Sequence, residues 1–223
     1  MKTVLLFAIL LLSFTYSSAQ HEYAPVLEKE INYKDWTYKQ VRDVAKDLNL
    51  REATKGKKLV MVVYFAPWCA NWKLEAPVAQ KLYEKYKANG FEVIGVGEYD
   101  TVEVMKTSLD TFKITFPVVY ESEARDAKQK TPHYEYRKIT GDTRNWGSPW
   151  NIFLIPSQLK KKGGVLTEKT FVVNGELIEA EAEAFIREKL GLPKEEKKTE
   201  TSKNKPGEVC EPTTTSLKKP EPQ

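Results

Sequence analysis

The chain has 223 residues, 35 Lys and Arg against 31 Asp and Glu, a formal charge of +4, and only two cysteines and two histidines. The opposite charges are interleaved from end to end, so the basic stripe that tracks a nucleic-acid backbone is missing and no nucleic-acid partner is expected. No His/Cys/Asp cluster has metal-ligand spacing and no Gly-rich loop follows a strand into a helix, so neither a metal nor a phosphate-bearing cofactor is expected.

The first element is a leader. Lys2 precedes an uninterrupted apolar run from Val4 to Leu12, and Ser17-Ser18-Ala19 supplies the small residues of a cleavage site. This pattern predicts a signal peptide over residues 1–19, cut after Ala19, and an exported protein, periplasmic or secreted. The run is shorter than the ~20 residues a bilayer span needs, so no stable membrane anchor is expected. Loss of Lys2 lowers the formal charge to +3, since 4 − 1 = 3.

Residues 20–48 read as an N-terminal extension with one helix, from the spacing of Val41, Val44, Ala45 and Leu48. "KLVMVVYF" is a continuous β-branched run, the pattern of a central strand covered on both faces. The segment Ala70–Ala88 predicts a helix with Leu74, Val78, Leu82 and Tyr86 on its inner face, bent at Pro77 and stopped by Asn89-Gly90. "FEVIGVG" is a second buried strand. Val102, Met105, Leu109 and Phe112 mark an amphipathic helix, and "TFPVVY" is a third strand. After an irregular charged insertion, about 121–147, with room for a short helix, "NIFLI" and "KTFVV" read as two more strands. Ile178–Leu190 is a closing helix stopped by Gly191 and Pro193. The order predicts an α/β domain over 49–192, a central mixed sheet flanked by helices with an antiparallel terminal β-β-α. Residues 193–223 are Lys, Glu, Thr and Pro with almost nothing to bury, the composition of a disordered tail.

"VVYFAPWCANW", Pro77 in the next helix, "GFEVIGVG", "FPVV" and "GSPWNIFLI" together resemble the thioredoxin-like superfamily. The nearest fit is its exported redoxin branch, close to cytochrome-maturation thiol-disulfide reductases and the alkyl hydroperoxide reductase/thiol-specific antioxidant group. The resemblance spans roughly 49–190 and implies that Cys69 is the nucleophile at the start of the helix after the central strand. Helix starts favour a thiolate through their free N–H groups and positive dipole end. It also implies a cis-proline opposite the sulfur, assigned to Pro149 by element order with Pro117 as second choice, and a backbone contact from Ser148 to a bound peptide.

The same resemblance exposes three departures. Trp72 stands where the resolving cysteine belongs, Val63 where many relatives carry a buried carboxylate or amide, and Ala66 where peroxide-reducing relatives have Thr or Ser. The ordinary dithiol cycle is thereby excluded and efficient peroxidase chemistry argued against. Neither His21 nor His133 is placed as a base. Trp68, Trp72 and Trp150 would surround the thiol, either as core or as a recognition edge. Cys210 could reach Cys69 through the tail and resolve a mixed disulfide, although an incidental or crosslinking role is the simpler reading.

Two functions follow as expectations. The first is a single-cysteine thiol-redox protein whose partners are oxidised or thiol-bearing exported proteins or small thiols. The second is a peptide-binding module on the same fold, working through the tryptophan edge without turnover. The sequence leaves oligomeric state open.

Overall fold

The computed structural model describes residues 20–193; residues 1–19, the segment 194–223 and Cys210 lie outside the described residues. The elements run β1 (Tyr23–Ala24), β2 (Leu27–Lys34), β3 (Thr37–Lys39), β4 (Asp47–Asn49), α1 (Leu50–Ala53), β5 (Leu59–Phe65), α2 (Ala70–Tyr86) and β6 (Phe91–Glu98). They continue through α3 (Val102–Thr111), β7 (Val118–Ser122), α4 (Pro132–Thr140), β8 (Trp150–Leu154), β9 (Val165–Val173), β10 (Glu176–Leu177) and α5 (Glu179–Leu190).

Six strands form one sheet in the order β2-β9-β8-β5-β6-β7. β5, β6 and β7 are parallel, whereas β8 runs against β5, β9 against β8 and β2 against β9. Every residue of β5 and β6 is buried, as a central strand requires. The two crossovers step in the same direction, β5 to β6 to β7, so right-handed connections place α2 and α3 on one face. There Trp72, Ala76, Ala79 and Leu82 of α2, Met105 and Leu109 of α3, and Ala182 and Ile186 of α5 pack on Leu59, Met61, Val63 and Phe65. Val60, Val62 and Tyr64 point the other way, toward Tyr33 and Ile31 of β2, Trp150 and Ile152 of β8, and Tyr136 of α4.

Two expectations are corrected. Residues 41–48 form no helix: the Val41 N–H donates to the Val118 carbonyl at 2.8 Å, Val44 is exposed, and Asp47–Asn49 pairs with β3. The spacing of four apolar residues is overridden by strand contacts, since so short a helix has little stability of its own. The extension is also part of the domain, because β2 is an edge strand of the main sheet. Second, the inner stripe of α2 is Trp72, Glu75, Ala76, Ala79, Leu82 and Tyr86, while Leu74 is exposed. The stripe is rotated from the expected one and contains an acid.

Candidate functional site

β8 is antiparallel to β5 with Tyr64 opposite Trp150, so the residues after β5 and those before β8 meet at the same edge of the sheet. This edge lies at the carboxyl ends of the parallel strands, where open α/β sheets place their ligands. Past β5 the chain turns through Ala66 and Pro67, the Cys69 N–H donates to the Ala66 carbonyl at 3.0 Å, and Cys69 becomes the N-cap of α2. Its side chain makes no capping bond, so it stays available, and the residue is half-buried.

Ser148 clasps this turn. Its Oγ accepts from the Ala66 N–H at 2.8 Å, and its carbonyl accepts from Cys69 Sγ at 3.1 Å. The Ser148–Pro149 peptide bond is cis. The structure thus brings Cys69, Ser148 and Pro149 together from segments far apart in sequence.

Burial separates the tryptophans. Trp72 is fully buried; its ring stacks on Phe65 with centroids 4.1 Å apart, and its Nε1 donates to Ser108 Oγ at 3.2 Å. Trp150 is fully buried on the opposite face of the sheet, donating to Asn174 Oδ1 at 2.8 Å. Neither belongs to a surface edge, so of the two readings left open for these indoles, core holds for Trp72 and Trp150. The large indoles go where there is volume to fill, and their N–H groups find partners inside. Trp68 stays half-exposed, its Nε1 donating to the Tyr99 carbonyl at 3.2 Å. Its neighbour is Trp146, also half-exposed, packed edge-on at 5.0 Å. Arg125 lies over Trp68 at 4.6 Å and Lys128 over Trp146 at 4.4 Å, so the aromatic pair beside the thiol is bracketed by cations.

Buried acids were not anticipated from the sequence. Glu75, on the inner stripe of α2, accepts the Leu177 N–H at 2.7 Å through Oε2, while Oε1 has no partner; burial pushes its carboxyl up to about 8. Across the sheet, Glu98 Oε1 lies 3.1 Å from His133 Nδ1, and both side chains are about 1% exposed. Burial raises Glu98 to about 7. Burial followed by the neighbouring Glu98 carboxyl raises Glu121 to about 8, and burial lowers His133 to about 3. Near neutral pH the imidazole is therefore uncharged, Glu121 mostly holds its proton and Glu98 sits near its midpoint. Glu75 had a readable signal, an acid three residues from Trp72 on one helical face; Glu98 at a strand end had none. Among the described residues no group of three or more His, Cys, Asp or Glu could hold a metal ion, and no helix is long and apolar enough to cross a membrane.

An N-cap cysteine facing the residue before a cis-proline, at the edge of this mixed sheet, decides the fold. The fold is thioredoxin-like. Residues 32–136 match the AhpC/TSA family. The chain is 31% identical over 87 residues to the thiol-disulfide oxidoreductase ResA of Oceanobacillus iheyensis, covering 39% of this chain and 45% of that protein. It is 31% identical over 96 residues to a protein disulfide-isomerase of Drosophila melanogaster, covering 43% and 18%. The thioredoxin-like chain thus spans less than half the length of these curated relatives. Among solved structures it superposes on a thiol:disulfide interchange protein of Chlorobium tepidum with a TM-score of 0.52 at 20% identity, covering 73% of this chain and 98% of that one. A secreted thiol-disulfide isomerase of Corynebacterium glutamicum gives 0.52 at 15%, covering 74% and 92%. These matches make the chain similar, over part of its length, to the AhpC/TSA family and to thiol-disulfide oxidoreductases, and the solved structures show the fold.

Proposed function

We propose that the protein is an exported, single-cysteine thiol-redox protein. Cys69 as thiolate attacks one sulfur of a partner's disulfide; the Cys69–S bond forms, the partner's S–S bond breaks and the second sulfur leaves as thiolate. No sulfur follows at the third position, because Trp72 is locked in the core. Release therefore takes an external thiol, which attacks the mixed disulfide and returns Cys69 to its reduced form.

The observation that carries this reading is Cys69 itself, a half-buried N-cap with no capping bond and its Sγ 3.1 Å from the Ser148 carbonyl. A partner chain paired with the Ser148 backbone would lie across that sulfur. Export rests on Lys2, the Val4–Leu12 run and Ser17-Ser18-Ala19. Partners are then exported proteins with thiols or disulfides, or small thiols. The rate of Cys69 alkylation in the folded protein, compared with the urea-unfolded chain across pH, tests the reading. It predicts faster labelling in the folded state near neutral pH. A folded protein that resists labelling would instead favour a binding module without turnover.

A further inference from the structure

Between α4 and the loop that follows it lies a surface cavity of about 470 Å³ lined by Lys128, Arg137, Lys138, Arg144 and Asp142, four cations against one carboxylate. That carboxylate is already spent. Asp142 Oδ2 accepts from Arg137 Nε at 3.0 Å and Arg144 Nη2 at 2.7 Å, and Oδ1 accepts from the Arg144 backbone N–H at 2.9 Å and Arg144 Nε at 3.0 Å. Two other acids reach single cations: Glu22 pairs with Arg144 at 3.0 Å, and Glu135 stands 3.8 Å from Lys138. The carbonyl end of α4 is capped, Arg137 O by the Asp142 N–H and Lys138 O by the Gly141 N–H.

Arg137 is the anomaly. It is 2% exposed, its Nε and Nη2 are occupied by Asp142 and the Arg144 carbonyl, and its Nη1 has no partner. A buried guanidinium N–H left without an acceptor calls for an explanation, and here the residue lines a cavity whose net charge is positive. Its position is fixed by packing as well, since a Cβ on Gly147 would collide with the guanidinium.

We propose that this cavity is an oxyanion site, taking a carboxylate or phosphate group held by Arg137 with Lys128 and Lys138. The planar guanidinium suits such a group, and the two lysines add charge at the rim. The site adjoins the thiol loop: Arg144 Nη2 donates to the Pro149 carbonyl at 2.8 Å, and Lys128 lies over Trp146. An acidic side chain on a polypeptide crossing Trp146 and a free small anion are both suitable sources of the group.

Titration of the full-length protein with inorganic phosphate, and separately with an acetylated tri-glutamate peptide, followed by ¹H–¹⁵N NMR against sodium chloride of equal ionic strength, tests the site. The expected result is a saturable shift of the Lys128, Asn145 and Trp146 signals. A protein carrying Lys128→Ala and Lys138→Ala gives up the Lys128 bonds to Asn145 and should stay folded, checked by its amide spectrum, while binding about tenfold more weakly, the loss of about 1.4 kcal/mol. Saturation by phosphate alone assigns the site to a free anion, and tighter binding of the peptide assigns it to an acidic polypeptide. No response beyond matched salt, or equal affinity in the double variant, would overturn it. The titration involves no thiol chemistry, so its outcome is independent of Cys69.

Discussion

The two faces of the sheet are built on opposite principles. Leu59, Met61, Val63 and Phe65 look into an interior of aliphatic and aromatic side chains closed by three helices, with Trp72 at its centre. Val60, Val62 and Tyr64 look into the other, where tyrosines, Trp36 and Trp150 share space with the buried titratable groups of Glu98, His133 and Arg137. One face stores stability mainly in packing, although the buried Glu75 of α2 lies within it. The second stores it in protonation states that must be matched to their surroundings, so the two should respond differently to substitution and to pH.

The largest contrast is expected from Trp72→Ala, which removes an indole stacked on Phe65 and leaves a cavity below the thiol; a loss of about 3–5 kcal/mol is predicted, measured by urea unfolding. This loss should be nearly the same at pH 5 and pH 8. The polar face should behave otherwise. Glu98 is raised to about 7 and Glu121 to about 8, above the 4.5 of an unperturbed Glu, so the stability they leave intact below pH 4.5 falls as pH rises through 7 to 8. His133, lowered to about 3, acts on the acid side: its stability is full above 6.5 and is lost as pH falls toward 3. Glu98→Gln should flatten the alkaline decline by roughly 3 kcal/mol between pH 5 and 8, on the scale of 1.36 kcal/mol per unit. An unchanged slope would show that the carboxyl ionises freely in the fold.

A smaller effect is expected where the faces meet the thiol. Ser148→Ala leaves the buried Ala66 N–H without its acceptor, with a predicted cost of about 1–3 kcal/mol. The Sγ contact to the Ser148 carbonyl is made by backbone and should survive, so Cys69 alkylation in the folded variant should change little. The smallest effect belongs to the exposed Lys81–Glu179 pair, where Lys81→Ala should leave Tm within error.

This division also governs what the sequence reveals. β5 is an unbroken apolar run, β6 is apolar between Glu92 and Glu98, and Val102, Met105 and Leu109 keep helical spacing, so the strand-helix order is legible directly. Cys69 and Pro149 are legible by their place in that order. α2 misleads because Leu74 and Val78 give an equally regular stripe, and only the sheet contact shows that Trp72, Glu75 and Ala79 face inward. The polar face is opaque for a physical reason. His133 and Arg137 look like surface residues in an irregular charged stretch and Glu98 like the polar end of a strand, and their burial follows from α4 folding back over the sheet, a tertiary fact without a periodic signature. Trp146 was passed over for the same reason, since nothing local distinguishes it from the core indoles.

The central claim is that one sulfur forms the mixed disulfide and cannot release it unaided. Its most direct test is intact mass during reaction of the reduced protein with glutathione disulfide. The account predicts a glutathione adduct on Cys69, separated from any on Cys210 by peptide mapping and by comparison with a Cys210→Ser protein, and persistent until an external thiol is added. Spontaneous loss of the adduct with formation of an intramolecular disulfide would contradict it, as would the absence of any adduct on Cys69 in the Cys210→Ser protein.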